Sequence, residues 1–304
     1  MKSLFMAQKN MQRMLYALIP VLLFGIFLFG WRVLLVLVIT NLTAVITEFL
    51  FVRNKKNGKI SLAVLVTGSL LALSLPPTIP FWMASVGAVV AISFGKMVFG
   101  GFGMNVFNPA IVGRTFMYIS FANMMTVNWI EPFKSLPGGF AAYLKVENLT
   151  SATPLITFRD TNVHSDLIDL LLGFIPGSIG ETSALLILLT AIYLVVSKTA
   201  RWQPIIATLA SFAIFASIFR TENPLPFLFS GSIMFGAVYM TTDPVSMPKD
   251  KRTIWIYGLL IGAITALIRK YSLFVEGFSF ALLIANTFTP IIDYGFSKVK
   301  KKGA

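Results

Sequence analysis

The sequence predicts an all-α, polytopic membrane protein with about ten transmembrane helices, and three observations lead to this fold class. The 304 residues are 56% hydrophobic and only 12% charged, whereas a soluble domain carries roughly 25% charged residues. Apolar stretches of about 20 residues, long enough to span the hydrocarbon core, follow one another with short polar breaks. The alternating segments of roughly ten residues that build a transmembrane β-barrel are not seen in the sequence.

The apolar stretches predict the helices in chain order, and one long polar connection divides them into two groups of about five. A first membrane half is predicted at residues 1–122, an extracytoplasmic loop at 123–180 and a second membrane half at 181–304. The predicted spans are 14–30, 33–52, 60–76, 80–98 and 106–122 in the first half, and 181–198, 203–219, 225–241, 253–269 and 274–292 in the second.

The basic residues indicate how the chain lies in the membrane. The net charge is +13, but Lys and Arg sit between apolar stretches and not on one soluble face, which argues against a nucleic-acid partner. Most of them fall in alternate segments, at 2–13, 53–59, 198–201, 249–252 and 298–302. Because cytoplasmic segments of membrane proteins are enriched in Lys and Arg, both termini are expected in the cytoplasm and the long loop outside. The N-terminus has no cleavage site typical of a signal peptide.

Two proline-rich runs suggest an internal repeat. LSLPPTIPF at 73–81 and FRTENPLPF at 219–227 each stand at the head of an apolar stretch. Asn108-Pro109 and Asp243-Pro244 follow downstream in the two halves. A duplicated half with an odd number of helices would be inverted, so that broken helices meet near the midplane and form a binding site. Chance similarity between two proline-rich turns accounts for the pattern equally well.

Ionisable residues in or beside the predicted spans are few, and such residues are functional candidates because they are costly in lipid. They are Glu48, Lys96, Arg114, Asp243 and Asp293. Glu48 and Asp293 lie near predicted helix ends, where we expect them to reach the membrane surface. Arg114 lies inside a span, where its permanent charge could hold a carbonyl or anionic group of a ligand or pair with an acidic residue.

The residue types exclude several kinds of site. The chain has no cysteine and one histidine, so it supplies no thiolate to an iron–sulfur cluster, and neither a metal site nor a catalytic residue is predicted. The run Thr150 to Leu155 is the most informative short segment. Pro154 favours an extended Thr153, and the small neighbours Ser151 and Ala152 leave the threonine hydroxyl uncrowded. This hydroxyl could be modified through a phosphoester, or the run could be an ordinary turn.

Four blocks of sequence resemble one known family. They are GGFGMNVFNPAIVGRTF at 100–116, SATPL at 151–155, GAVYMTTDPVS at 236–246 and FALLIANTFTPIIDY at 280–294. In this order they resemble the family of the D subunit of the Rnf ion-translocating electron transport complex and the B subunit of the Na⁺-translocating NADH:quinone oxidoreductase. The resemblance covers the chain from about residue 71 onward. The start of the first span near residue 14 favours the Rnf branch.

The resemblance implies two flavin sites. Thr153 would carry FMN through a phosphoester installed by a flavin transferase, with Ser151, Ala152 and Pro154 completing the attachment motif. A second, non-covalent riboflavin would have polar neighbours from both halves: Asn105, Asn108, Arg114 and Asp243. Glu147 departs from the family pattern, in which an aspartate stands six residues before the modified threonine.

The function implied by the resemblance is electron relay through covalent FMN, coupled to transport of Na⁺ or H⁺ across the bacterial inner membrane. Because redox chemistry belongs to the cofactor, the chain would act only with other subunits, including iron–sulfur and flavin subunits. Two rival interpretations need no covalent flavin. A secondary transporter with inverted repeats would use the polar span residues for substrate, and a structural scaffold would bind no chromophore. The ion, the electron donor and the acceptor are not specified by the sequence.

Overall fold

The computed structural model describes residues 5–55, 58–127, 129–144, 152–220, 224–272, 274 and 276–302. Two short strands, β1 (Phe5–Met6) and β2 (Ile60–Ser61), pair in parallel. All other regular elements of the described chain are helical. They are α1 (Lys9–Phe29), α2 (Arg32–Val52), α3 (Ala63–Leu73), α4 (Phe81–Ile92) with a π-helical extension (Ser93–Met97), α5 (Pro109–Ser120), α6 (Ala122–Thr126), a 3₁₀ turn (Gly138–Ala141), α7 (Pro154–Thr161), α8 (Leu167–Leu172), α9 (Ala184–Val196), α10 (Trp202–Arg220), α11 (Leu225–Phe229), α12 (Ile233–Tyr239), α13 (Lys251–Tyr271) and α14 (Phe278–Lys302).

Four helices of the described chain, α1, α2, α10 and α13, are long and apolar enough to cross a membrane. Helix α2 shows how such a helix divides its faces. Leu42, Ile46 and Leu50, spaced four residues apart, are about half exposed, whereas Val36 and Ala44 on the other side are fully buried. A helix with an exposed apolar face is suited to contact with lipid, so this part of the predicted fold class is confirmed.

Several predicted spans are shorter or broken in the structure. Helix α3 covers 11 residues and α5 covers 12, which corresponds to about 17 and 18 Å of helix. The predicted span 225–241 contains α11 and the seven-residue α12, with a break at Gly231. Prolines account for several of these ends, because Pro76-Pro77 follow α3 and Pro109 begins α5.

The helices pack in a similar order in the two parts of the chain. Helix α2 contacts α3 and α4, and α4 contacts α5. Correspondingly, α10 contacts α12 and α13, and α13 contacts α14. Helices α1 and α9 pack against each other, and α5 contacts α14. The two proline-rich runs do not occupy corresponding positions in this packing order. The run 73–81 follows α3, whereas the run 219–227 precedes α12, the helix that corresponds to α3.

The connection between α5 and α9 contains α6, α7, α8 and the 3₁₀ turn. It is fastened to the turn between α1 and α2. The amide of Phe133 donates to the carbonyl of Leu28 at 2.9 Å, and the indole of Trp31 donates to the carbonyl of Phe140 at 2.8 Å. Asp166 is the N-cap of α8 within this connection. The connection is therefore packed against the helices, which brings Thr153 close to α5.

Two candidate binding pockets

Thr153, Pro154 and Arg114 line one pocket, Asn105, Asn108 and Asp243 line another, and both pockets use α5. We call the first the Thr153 pocket; its chemically distinctive residues are Thr153, Arg114, Tyr118, Glu181 and Glu276. We call the second the Asp243 pocket; its distinctive residues are Asp243, Asn105, Asn108, Lys96 and Tyr239. Helix α5 contributes Arg114 and Tyr118 to the first, while its N-cap Asn108 lines the second.

Thr153 stands at the N-cap position of α7, immediately before Pro154 at the first helical position. Its backbone is extended, with φ −67° and ψ 156°, which confirms the effect expected of the following proline. A threonine at this position often caps the helix with its side chain, but Thr153 makes no such bond. Its side chain is half-buried and Ala152 is exposed. Thr153 therefore lines the pocket with a side chain that does not cap α7; Ser151 and Glu147 lie outside the described residues.

The Thr153 pocket has the composition of a binding site for an aromatic ligand. Its cavity volume is about 70 Å³, and the cavity is partly open to the surroundings. Its walls are mainly apolar and include Tyr118, Met125, Trp129, Leu155 and Ile175. Aromatic side chains and methionine pack well against flat rings.

A buried charge cluster lies on the polar side of this pocket. Arg114, only 3% exposed, donates through both terminal nitrogens to the carboxylate of Glu181. One of these nitrogens also lies 3.1 Å from Glu276 Oε2. Glu276 Oε1 in turn accepts from the hydroxyls of Ser232 at 2.5 Å and Ser279 at 3.0 Å. The cluster joins α5 to the segments that precede α9 and α14.

Charges of the Arg114 cluster are balanced by a second buried arginine. Arg269 donates to the carbonyl of Glu276 at 2.9 Å, and to the carbonyls of Phe227 and Ser230 at 2.7 and 3.2 Å. The two arginines and the carboxylates of Glu181 and Glu276 together carry no net charge. Such balance reduces the cost of burying ionised groups in a membrane.

The Asp243 pocket, with a cavity volume of about 50 Å³, is partly open and lies between the first turns of α1, α3 and the segment after α12. Asp243 accepts from the amide of Val245 at 3.2 Å and the hydroxyl of Ser246 at 2.9 Å. Asn108 caps α5 by accepting from the amide of Ala110 at 3.0 Å. It also donates to the carbonyl of Met240 at 3.2 Å. Asn108 thus ties α5 to the end of α12, while Asn105 lines the pocket beside it.

Lys96 is a second charged group at the Asp243 pocket, and it lies in the π-helical extension of α4. Its ammonium lies 2.6 Å from Glu48 Oε2 and 2.6 Å from Ser61 Oγ. The expectation that Glu48 reaches the membrane surface is therefore wrong, because Glu48 is 2% exposed and paired inside the protein. Asp293 is partly exposed, and its Oδ2 accepts from the amide of Lys249 at 3.0 Å.

The resemblance places Arg114 with Asn105, Asn108 and Asp243 around a second flavin, but the structure separates Arg114 from the other three. Two functional candidates, Glu181 and Glu276, are missed by the sequence reasoning, although they lie at the starts of the predicted spans 181–198 and 274–292. The available signal is Arg114 itself, since an arginine inside a span requires an acidic or carbonyl partner. Among the described residues no group of three or more His, Cys, Asp or Glu could hold a metal ion.

Comparison with known proteins shows similarity over nearly the whole chain. The model of the NQR2, RnfD, RnfE family matches residues 2–302. The D subunit of the Na(+)-translocating ferredoxin:NAD(+) oxidoreductase complex of Acetobacterium woodii is 34% identical, with 96% of this chain and 92% of the relative aligned. The D subunit of the proton-translocating ferredoxin:NAD(+) oxidoreductase complex of Clostridium ljungdahlii is 33% identical over 96% and 91%. The B subunit of the Na(+)-translocating NADH-quinone reductase of Chromohalobacter salexigens is 34% identical over 82% and 61%.

Proposed function

This chain belongs to the NQR2, RnfD, RnfE family, and from that premise we propose that it is the flavin-carrying membrane subunit of an ion-translocating oxidoreductase complex. Two relatives that it matches along more than nine-tenths of their length are named as the D subunits of such complexes. In this proposal Thr153 carries FMN through a phosphoester, and electron transfer is the chemistry that the flavin supplies when bound.

The observation that carries the proposal is the position of Thr153. This residue stands at the N-terminus of the eight-residue α7, but its side chain makes no capping bond. It also lines a pocket with apolar and aromatic walls. A phosphoester on this oxygen would lie at the amino end of α7, where helix amides and the helix dipole favour an anionic group. Trp129 and Tyr118 offer surfaces for a flat ring in the same pocket.

A second flavin, riboflavin held without a covalent bond, is proposed for the Asp243 pocket. Asn105, Lys96 and Asp243 offer donors and acceptors for its polar edges, and Tyr239 and Phe102 offer aromatic surfaces. Asn108 would act indirectly, because its side chain already caps α5 and bonds to Met240. Arg114 has no place in this second site.

Ion coupling is proposed to use the short helices. Helices α3 and α12 both end before non-helical segments that contain proline, and the carbonyls freed there resemble the cation-coordinating groups of inverted-repeat transporters. The similar packing order of the two parts of the chain supports such a repeat. Of the three relatives named above, two are named as Na⁺-translocating and one as proton-translocating, so either ion suits the family. The chain has no cysteine, so any iron–sulfur centre must belong to partner subunits.

The test is in-gel fluorescence of the denatured subunit after expression of the whole complex with its flavin transferase. We expect the wild-type band to fluoresce under ultraviolet light and Thr153→Ala to be dark. Thr157→Ala, one turn further along α7, is the matched control and should remain fluorescent. A dark wild-type band, or equal fluorescence in Thr153→Ala, would contradict covalent FMN at this position. A dark wild-type band would favour a transporter without a covalent cofactor.

A further inference from the structure

The guanidinium of Arg114 is fixed in place more firmly than an ion pair requires. Both terminal nitrogens bind Glu181, and one of them also contacts Glu276. Glu276 is itself held by two serine hydroxyls through one oxygen and by Arg269 through its backbone carbonyl. The planar group therefore has a defined orientation within a cluster that is almost fully buried.

One nitrogen of this guanidinium has no partner among the described residues. Arg114 Nε is buried and has no hydrogen-bond partner among the described residues, although both terminal nitrogens are bonded. A buried donor without an acceptor costs about 1–3 kcal/mol, and this one belongs to a residue that lines the Thr153 pocket. An acceptor supplied by a ligand in that pocket would remove the cost.

The flavin ring has acceptors suited to this donor. Its pyrimidine edge presents carbonyl oxygens and ring nitrogens, and reduction of the ring increases the negative charge on that edge. A fixed cation or N–H donor beside it stabilises the reduced form more than the oxidised form, because charge in a water-poor site interacts strongly with a preorganised donor. The reduction potential would therefore rise.

We propose that Arg114 contacts the pyrimidine edge of the flavin carried by Thr153, through its buried Nε–H, and raises the reduction potential of that flavin. This inference rests on the proposed function, since it needs the covalent flavin, but it assigns Arg114 to a different flavin from the one expected from the sequence. Glu181 and Glu276 are positioning residues that orient the guanidinium and moderate its charge.

The experiment is a redox titration of the covalent FMN in the purified complex, with fluorescence of the denatured subunit as the check on loading. Arg114→Lys keeps a positive charge for the two carboxylates but removes the Nε–H. We expect the ratio of reduced to oxidised flavin at a fixed potential to fall at least tenfold, which equals about 30 mV for a two-electron couple. Arg252→Lys makes the same substitution at an exposed arginine that lines neither pocket, and it should leave the covalent flavin's ratio unchanged.

A second variant should shift the reduction potential of the covalent flavin in the opposite direction. It tests the role of Arg114 if Arg114→Lys does not assemble. Glu276→Gln keeps the side-chain shape and removes one negative charge beside Arg114. We expect it to raise the reduced-to-oxidised ratio severalfold, because Arg114 is then less neutralised. If the assembled variants carry covalent flavin and their ratio of reduced to oxidised flavin changes less than twofold, the proposed role of Arg114 is overturned. The proposal of a covalent flavin on Thr153 would not be affected by that result. A wild-type subunit without fluorescence would overturn the proposed function itself.

Discussion

The buried pair Lys96–Glu48 offers the sharpest test of how the helices are held together. Both side chains are about 2–3% exposed, and the two charges are 2.6 Å apart. Glu48 also accepts from the amide and hydroxyl of Ser61 at 3.0 and 2.9 Å. Glu48→Ala leaves Lys96 with a buried charge and, among the described residues, only the Ser61 hydroxyl as hydrogen-bond partner. Removing one member of such a pair costs about 3–5 kcal/mol.

The corresponding assay is thermal unfolding of the purified complex in one detergent. For a chain of this size each kcal/mol lowers the melting temperature by roughly 2–4 °C, so Glu48→Ala should melt about 6–20 °C lower. Lys96→Met should have a similar effect, because it leaves Glu48 charged and buried. The double variant Glu48→Gln with Lys96→Met should recover most of the loss, since replacing both charges of a buried pair is often close to neutral.

The exposed pair Arg159–Asp160, at 3.2 Å with both side chains about half exposed, is the control. Replacing Asp160 with Asn should change the free energy of unfolding by about 0.5 kcal/mol or less, because water screens the pair. The reasoning fails if Glu48→Ala melts within 2 °C of the wild type (about 1 kcal/mol or less), or if the double variant is less stable than both single variants.

Two further predictions concern packing and buried polar groups, and both are read from the same melting curves. Gly236→Ala should lower the free energy of unfolding by about 1–3 kcal/mol, because a Cβ at this position would overlap the ring of Phe278. The control is Gly295→Ala, which should be neutral or slightly stabilising because a Cβ there would meet nothing within 4 Å. Equal effects of the two substitutions would contradict the argument. Tyr257→Phe should cost about 1–3 kcal/mol, because the Tyr257 hydroxyl donates at 2.9 Å to the fully buried Asn286. The prediction fails if Tyr257→Phe melts with the wild type.

Hydropathy located helical segments well but not their true lengths. Each of the predicted spans contains helix, yet 60–76 ends early because the backbone leaves the helix before Pro76, and 225–241 is interrupted at Gly231. A window average registers apolar composition and is insensitive to such breaks. The broken ends are where non-helical backbone lies inside the protein, which is tolerated in a membrane only when the backbone is buried or lines a cavity.

The candidate site was predictable to the extent that it depends on local sequence. The prediction that Thr153 is extended needed only the following residue, Pro154, and the structure confirms it. Pairings across the fold were not predictable in this way. Lys96 and Glu48 are 48 positions apart, and Arg114 and Glu181 are 67 apart, so no short window contains both partners.

Helix α5 determines how the two pockets are placed relative to each other. Its N-cap Asn108 lines the Asp243 pocket, whereas Arg114 and Tyr118 line the Thr153 pocket. Six residues separate Asn108 from Arg114, which is about 9 Å along a helix. Gly113 fixes α5 against α4, because a Cβ there would lie 2.7 Å from the carbonyl of Gly87. A bulky substitution at Gly113 should therefore disturb both pockets together. A substitution of Asn105 should disturb only the Asp243 pocket, and a substitution of Tyr118 only the Thr153 pocket.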